Sequence, residues 1–201
     1  MLKNEDIKIR HIEEGDMDGF VHLNNDLDIR GLYLPCDLSS PQELRLQFQK
    51  DGLSNENSET LVIVDKNDEL LGIIWHFKSV PYFNAREIGY TLFDISERSK
   101  GIVSQAVGLL STYLFNAFQI NRLEIRMSSE NLASEKVAVK CGYKKEGTSR
   151  GASFVRGRHV DMHVYAMLRE EWVLMGYELP GAACKNMTWA DKQKKNKGAT
   201  I

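Results

Sequence analysis

The stretch Glu97-Arg98-Ser99-Lys100-Gly101-Ile102-Val103-Ser104-Gln105-Ala106 decides the fold of this chain. It follows a run from Glu87 to Asp94 that has the character of a β-strand. Apolar residues then recur at three- and four-residue spacing from Val103 to Phe118, which predicts an amphipathic helix. The first N–H groups of a helix have no partners within it, so a helix start with a glycine and cations suits a phosphate. Ordinary strand-to-helix turns contain similar residues, so a second motif is needed to distinguish a phosphate site from such a turn.

That second motif is the segment from Asn131 to Tyr143. It follows a strand-like alternation, and its glycine at position 142 suits the end of a helix. Together the two motifs resemble the GNAT superfamily of acyl-CoA N-acyltransferases. The superfamily's Arg/Gln-x-x-Gly-x-Gly/Ala loop matches Arg98-x-x-Gly101-x-Val103. Its second helix, which begins at Asn and ends at Gly-Phe/Tyr, matches Asn131 to Tyr143.

The residues of the loop narrow the resemblance to one type within the superfamily. Gly101-Ile102-Val103-Ser104-Gln105, with Ala85 to Tyr90 upstream, is similar to the RimJ/RimL type, which acetylates protein N-termini. The resemblance spans residues 7–168. It implies an α/β (α+β) GNAT fold, in which a mixed sheet of about seven strands with splayed central strands is flanked by about four helices. The predicted order of elements agrees: strand, two helices, three strands, helix, strand, helix, two strands.

Composition predicts one well-packed domain in 201 residues, of which 42% are hydrophobic. A formal net charge of -2 argues against a nucleic-acid-binding surface, which would be basic. Cys36, Cys141 and Cys184 lack a Cys-x-x-Cys pairing, so we expect reduced thiols in a cytoplasmic protein. No apolar signal segment opens the chain and no run reaches membrane-spanning length, so no membrane association is expected.

The composition changes near the end of the chain. Residues 1–178 are predicted to form the acetyltransferase domain, and lysine predominates among the charged residues of 179–201. One interpretation of this last segment is a flexible, solvated tail. The alternative is that Trp189 docks the tail on a neighbouring subunit of a homodimer.

The resemblance implies acetyl-CoA as cosubstrate and no metal. Coenzyme contacts would come from the loop and the residues just before it, namely Phe93, Ile95, Arg98, Ser99, Lys100, Gly101, Ile102, Val103 and Ser104. Asn131 and Ser134 of the second motif complete this set. Val103 replaces the family's small third residue, but its backbone N–H is retained as a donor.

Glu87 is the candidate catalytic base. Amide formation needs a neutral amine, and a carboxylate can take the proton that an ammonium must lose. Glu87 lies in the strand before the coenzyme loop, on the same face as Gly89 and Thr91. In the family this strand splays from its neighbour and the acyl group enters the gap. The alternative is a carboxylate on the sheet surface, paired with a Lys or Arg.

Ser134 is the candidate proton donor to the leaving thiolate. Many family members have a Tyr seven residues after the Asn, where this chain has Ala138, whereas the RimL-like pattern has a Ser three residues after it. The alternative is a Ser that only bonds the backbone of the first helical turn. Asn131 has a similar choice between capping its helix and binding the pantetheine arm. A second RimL-like carboxylate is replaced by Ser153.

Two classes of acceptor remain open. Tyr33 and Leu34 lie at the apolar tip of a predicted loop and suit the side chains of a peptide. Three aspartates would instead suit a polyamine or an aminoglycoside-like antibiotic; they are Asp26, Asp28 and Asp37. His76 is a further substrate contact candidate, opposite Glu87, with a structural role as its alternative.

The favoured function is therefore transfer of acetyl by direct attack to a primary amine. The RimJ/RimL resemblance favours the N-terminal α-amine of a protein or peptide, of the ribosomal-protein type. Acetylation of a small-molecule amine is the alternative. A catalytically silent CoA-binding module is a third hypothesis, which the missing Tyr at position 138 and the Ser at position 153 support.

Overall fold

The computed structural model of the chain describes residues 1–176, so the predicted tail from residue 179 lies outside the described part. Its strands are β1 (Leu2–Lys3), β2 (Ile7–His11), β3 (Ser58–Asp65), β4 (Leu70–Phe77), β5 (Ala85–Leu92), β6 (Arg122–Ser128), β7 (Lys144–Val155) and β8 (Arg158–Leu168). Its helices are α1 (Met17–Asn25), α2 (Leu27–Arg30), α3 (Pro41–Asp51), α4 (Ile102–Ala117), α5 (Leu132–Lys140) and α6 (Arg169–Leu174). Single 3-10 turns cover Glu14–Asp16 and Ile95–Glu97.

All eight strands belong to one sheet, in the order β1-β2-β3-β4-β5-β6-β8-β7. The central neighbours β5 and β6 are parallel, and the other neighbours are antiparallel. The predicted mixed α/β architecture is confirmed. The extra strand is the two-residue β1 at the edge, and the helices beyond the predicted set, α2 and α6, are short.

The central strands splay, as predicted. Pairing between β5 and β6 ends at Glu87 and Glu124, although β5 continues to Leu92 and β6 to Ser128. A gap therefore opens between the carboxyl-terminal halves of the two strands. The helix α4 begins at the end of β5, and α5 follows β6, so both helix starts lie at the open end of this gap.

Alternation along the strands builds a hydrophobic core on each face of the sheet. Residues such as Ile74, Ile88 and Ile125 pack against Leu110 and Leu114 of α4. The opposite face supports α1 and α3 with a smaller core that includes Met17, Phe20, Val62, Val64 and Ile73. The sheet therefore separates two hydrophobic cores, and side chains at alternate positions of β5 point to opposite faces of the sheet.

Local sequence signals explain where several elements begin and end. Ser40 caps α3, which has Pro41 at its first position and ends at Gly52 in the left-handed conformation, φ +65°. The strands β7 and β8 form a hairpin, with Arg156 and Gly157 at φ +47° and +82° forming its two-residue turn. The segment predicted as a loop from Asp28 instead contains α2, because the Asp26 carboxylate accepts bonds from the N–H groups of Asp28 and Ile29.

Candidate active site

The N-terminus of α4 has the geometry of an anion site. Gly101 is its N-cap residue, with φ +83°, and no side chain caps this helix end within the described residues. The first intrahelical bond runs from the N–H of Gln105 to the carbonyl of Gly101, at 3.0 Å. The N–H groups of the first turn, from Ile102 to Ser104, are therefore left for a ligand, with the positive end of the helix dipole behind them.

Cations surround this helix start. Arg98 and Lys100 come from the loop itself, and Lys100 is paired with Glu97 at 2.7 Å. A third cation comes from α5, because Lys140 Nζ lies 3.5 Å from the place where a Cβ on Gly101 would stand. Nothing in the local sequence pattern connects Lys140 with the loop, so the sequence alone does not predict this contact. Its position follows from the packing of α5 against α4, where the Cys141 thiol donates to the carbonyl of Ser104 at 3.3 Å.

Phe93, Ile95 and Ser99 are the remaining residues that the sequence predicts to contact the coenzyme. Phe93 donates its N–H to the carbonyl of Leu71 at 3.0 Å, and its ring packs against the core beneath α1 and α3. Ile95 begins the 3-10 turn, and its side chain lies outside the described part of the structure. Ser99 has φ +65°, so the loop turns sharply just before Gly101.

Asn131 and Ser134 lie together at the start of α5. The Asn131 Oδ1 atom caps the helix by accepting from the N–H of Ser134, at 3.1 Å. The Asn131 amide NH₂ group has no partner among the described residues, so capping and binding of a pantetheine arm do not compete. Ser134 is 9% exposed, and its Oγ lies 2.7 Å from the hydroxyl of Tyr90 on β5. Tyr90 is a site residue that the sequence analysis did not identify.

Glu87 lies at the point where the central strands separate. It is opposite Phe77 on β4 and Glu124 on β6, and its side chain is 16% exposed. Burial raises the pKa of Glu87 to about 7, against the opposing effect of Arg126 and with a further increase from Glu124. The Arg126 Nε atom is 3.3 Å from the Glu87 carboxylate. Glu87 thus has the arginine partner of the structural alternative together with the raised pKa expected of a base.

The neighbouring Glu124 is held differently. It is 1% exposed and receives bonds from Arg122 Nε at 2.6 Å and Arg126 Nη2 at 2.8 Å. Arg122 also bonds both carboxylate oxygens of Glu146. These groups fix the position of Arg126, which then lies between Glu124 and Glu87.

Trp75 covers β5 next to Glu87. A Cβ on Gly89 would lie 2.2 Å from the Trp75 indole, so a glycine is required where the ring crosses the strand. Gly89 is two positions beyond Glu87 and shares its face. An interior glycine in a predicted strand indicates a close approach at that position, but it does not identify Trp75 as the residue that approaches.

His76 does not lie opposite Glu87, and this expectation is corrected. It pairs with Ile88 and points to the other face of the sheet, where it is 1% exposed. Its ring nitrogens lie 2.8 Å from Glu59 Oε2 and 3.1 Å from Arg86 Nη1. The structural alternative for His76 is therefore the one that the geometry favours, because adjacent strand positions face opposite sides.

Tyr33 and Leu34 lie on the segment between α2 and α3, and no hydrogen bond joins them to Glu87. The start of this segment is fixed to the β7–β8 turn. Arg156 Nη2 donates to the carbonyls of Leu27 at 2.7 Å and Gly31 at 3.1 Å. The hairpin turn is therefore joined by hydrogen bonds to both ends of α2.

Two further observations concern possible metal sites and membrane spans in residues 1–176. This part of the chain contains no group of three or more His, Cys, Asp and Glu side chains that could hold a metal ion. None of its helices combines the length and the apolar character needed to cross a membrane.

Most of the chain is similar to known proteins. Residues 6–144 match the family model described as the acetyltransferase (GNAT) domain. The ribosomal-protein-serine acetyltransferase of Escherichia coli (strain K12) is 32% identical over 140 residues, which cover 69% of this chain and 78% of that protein.

Solved structures with the same fold include two coenzyme complexes. A spermidine N-acetyltransferase from Vibrio cholerae, in complex with CoA and spermine, has a TM-score of 0.74 at 20% identity and covers 85% of this chain and 99% of its own. RimL, a ribosomal L7/L12 α-N-protein acetyltransferase in complex with coenzyme A, has a TM-score of 0.70 at 23% identity, with coverage of 84% and 97%. These likenesses concern the fold, whereas the family model spans well over half of the sequence. The chain therefore belongs to the GNAT family and is an acetyl-CoA-dependent N-acetyltransferase.

Proposed function

We propose that the acceptor is the N-terminal α-amine of a protein or peptide, and that Glu87 takes the proton from its ammonium form. The observation that carries this proposal is the position of Glu87 at the apex of the splay, with a pKa of about 7. A general base works best when its pKa is near the operating pH.

The pKa of Glu87 matches an α-amine better than an alkylamine. An α-ammonium has a pKa of about 7.7–8.0, so proton transfer to Glu87 costs only about 1 kcal/mol. A primary alkylammonium like that of lysine has a pKa of about 10.4, and the same transfer costs more than about 4 kcal/mol. This difference favours the peptide terminus over a polyamine.

The charges beside Glu87 favour a single cation as well. Glu124, which is paired with Glu87 across the strands, has Arg122 and Arg126 as partners. Two further carboxylates also have arginine partners: Glu146 with Arg122, and Glu130 with Arg158. Asp26 is engaged in capping α2. A polyamine would need several carboxylates for its separate charges, whereas an N-terminus brings one charge to Glu87.

The other site residues serve the thioester in this proposal. The open start of α4, with Arg98, Lys100 and Lys140, suits the pyrophosphate. The free NH₂ group of Asn131 suits the pantetheine arm, and the Ser134 hydroxyl suits the departing thiolate. Direct attack on the thioester is favoured, because Cys141 is buried with a pKa raised to about 12 and bonds the Ser104 carbonyl.

The relatives support both classes of acceptor, the protein N-terminus and the small amine. The Escherichia coli relative at 32% identity is named for ribosomal-protein serine. A spermidine N(1)-acetyltransferase of Vibrio cholerae is 20% identical over 171 residues, and this supports the small-amine alternative. The geometry of Glu87 and its neighbours decides our preference for the peptide.

The experiment is an acceptor panel that is read by release of free coenzyme thiol. Lysine-free peptides with a free α-amine should be acetylated, and their Nα-acetylated copies should release no more thiol than buffer. Spermidine and an aminoglycoside complete the panel. A kcat/KM for spermidine above that of every peptide would overturn the proposal in favour of the small-amine alternative, and thiol release without any acceptor would indicate hydrolysis alone.

A further inference from the structure

The hydroxyl of Ser134 has an unusual partner for a serine in the first turn of a helix. Such a hydroxyl commonly bonds the backbone around the start of its own helix. In the described structure the Ser134 Oγ atom instead lies 2.7 Å from the phenol of Tyr90. Tyr90 lies on the half of β5 that has separated from β6, whereas Ser134 belongs to α5, which follows β6. The pair therefore connects the two sides of the splay.

The phenol is the better donor of the two hydroxyl groups, because a phenolic O–H is more acidic than an aliphatic one. Its oxygen is also 3.4 Å from the backbone carbonyl of Ser134, which is a second acceptor in the same direction. With Tyr90 as donor, Ser134 accepts through Oγ and keeps its own hydrogen for a third group. Burial raises the pKa of Tyr90 above its ordinary value, so the phenol remains protonated and remains a donor.

We propose that Tyr90 is a positioning residue for Ser134: its phenol fixes the Ser134 oxygen so that the serine hydrogen is directed into the gap between β5 and β6. The inference rests on the proposed function, in which Ser134 donates a hydrogen bond to the leaving thiolate. In this proposal Tyr90 acts only through Ser134. A serine that is free to rotate would offer the same group in several orientations, so the fixed oxygen favours the transition state.

The chain contains a matched control. Tyr143 and Ser111 form a second tyrosine–serine hydroxyl pair, also at 2.7 Å, which is buried in the core beneath α4. Tyr143→Phe removes a phenol oxygen from the same kind of pair, away from the splay. It should lower the midpoint of thermal unfolding and leave kcat unchanged.

The test is a double-mutant cycle on kcat with acetyl-CoA and the best peptide of the panel. Ser134→Ala should lower kcat, and Tyr90→Phe should lower it by about ten-fold, the effect of one lost hydrogen bond. Because Tyr90 acts through Ser134, Tyr90→Phe should have no further effect in the Ser134→Ala background. The KM for acetyl-CoA should change little in Tyr90→Phe.

The outcomes separate the inference from the function on which it rests. A loss in Ser134→Ala with unchanged kcat in Tyr90→Phe overturns the positioning role alone. Equal losses from Tyr90→Phe with and without the Ser134 hydroxyl also overturn it, since Tyr90 would then act independently. Unchanged kcat in Ser134→Ala overturns the thiolate role of Ser134 in the proposed function, and the inference with it.

Discussion

At the scale of single residues, we expect Glu87 to determine how turnover depends on pH. Glu87→Gln preserves the shape of the side chain and removes the base, so turnover should fall by about 10²–10⁴-fold. The wild-type rate should rise with pH through about 7, as the carboxylate loses its proton. The variant should recover part of its activity at higher pH, where more of the amine is free without help.

Measurement of kcat from about pH 6 to about pH 9.5 checks this prediction. Coenzyme affinity by calorimetry should be unchanged in the variant. Glu170→Gln makes the same change at an exposed carboxylate on α6 and should leave turnover at the wild-type level. An effect of Glu87→Gln on the acceptor KM alone, at every pH, would make Glu87 a docking charge.

Ionisation of Glu87 should also lower the free energy of unfolding at neutral pH. Its folded pKa, about 7, lies above the ordinary value of 4.5, so the folded state holds the proton more tightly. Stability is therefore lost as pH rises through this window, by up to about 3 kcal/mol. Glu87→Gln has no such loss and should be the more stable protein at pH 8, with the difference vanishing at pH 4. Urea unfolding at both pH values measures this, and a variant that is less stable at pH 8 contradicts it.

At the scale of elements, a substitution at the start of α4 should affect both the backbone conformation and the proposed coenzyme binding. Gly101→Ala places a Cβ where φ is +83°, at the site proposed for the pyrophosphate. Gly52→Ala introduces the same kind of strain at φ +65°, at the end of α3, where nothing lies within 4 Å of the new Cβ. Both should lower stability by about 1 kcal/mol, and only Gly101→Ala should weaken coenzyme binding, by about ten-fold.

Isothermal titration of coenzyme A into both variants measures the difference. Equal affinity in Gly101→Ala and Gly52→Ala would mean that the loop is only a structural turn. Because the added Cβ at Gly101 meets Lys140 Nζ at 3.5 Å, the flexible end of a side chain, steric conflict within the protein does not account for a loss of affinity.

At the scale of the whole molecule, Arg156 connects elements that are distant in sequence. Its guanidinium joins the β7–β8 turn to the carbonyls of Leu27 and Gly31. Arg156→Asn keeps a residue that tolerates the left-handed conformation and removes these bonds. The acceptor KM should rise several-fold, roughly the effect of one or two lost hydrogen bonds, while the KM for acetyl-CoA stays constant. Arg150→Ala, at an exposed position of β7, is the control; equal effects of the two variants would contradict the prediction.

The sequence by itself determined the order of elements and the family, and it predicted the loop that would bind the coenzyme. These follow from local patterns: the apolar spacing of α4, the strand run before it, the cap at Asn131 and the glycine at position 101. It also identified Glu87 and Ser134 as candidates, because each lies at a fixed offset from those patterns.

Only the tertiary structure decided which side chains meet. Tyr90 and Ser134 are 44 positions apart, and their contact depends on how far β5 separates from β6. Lys140 joins the coenzyme loop because α5 packs on α4, and Trp75 crosses β5 because of strand register. His76 was misplaced because a strand position facing the other side of a sheet cannot reach the cleft, and the register that fixes the facing is set by long-range pairing. The raised pKa of Glu87 is likewise a tertiary property, since burial and the neighbouring Arg126 and Glu124 produce it.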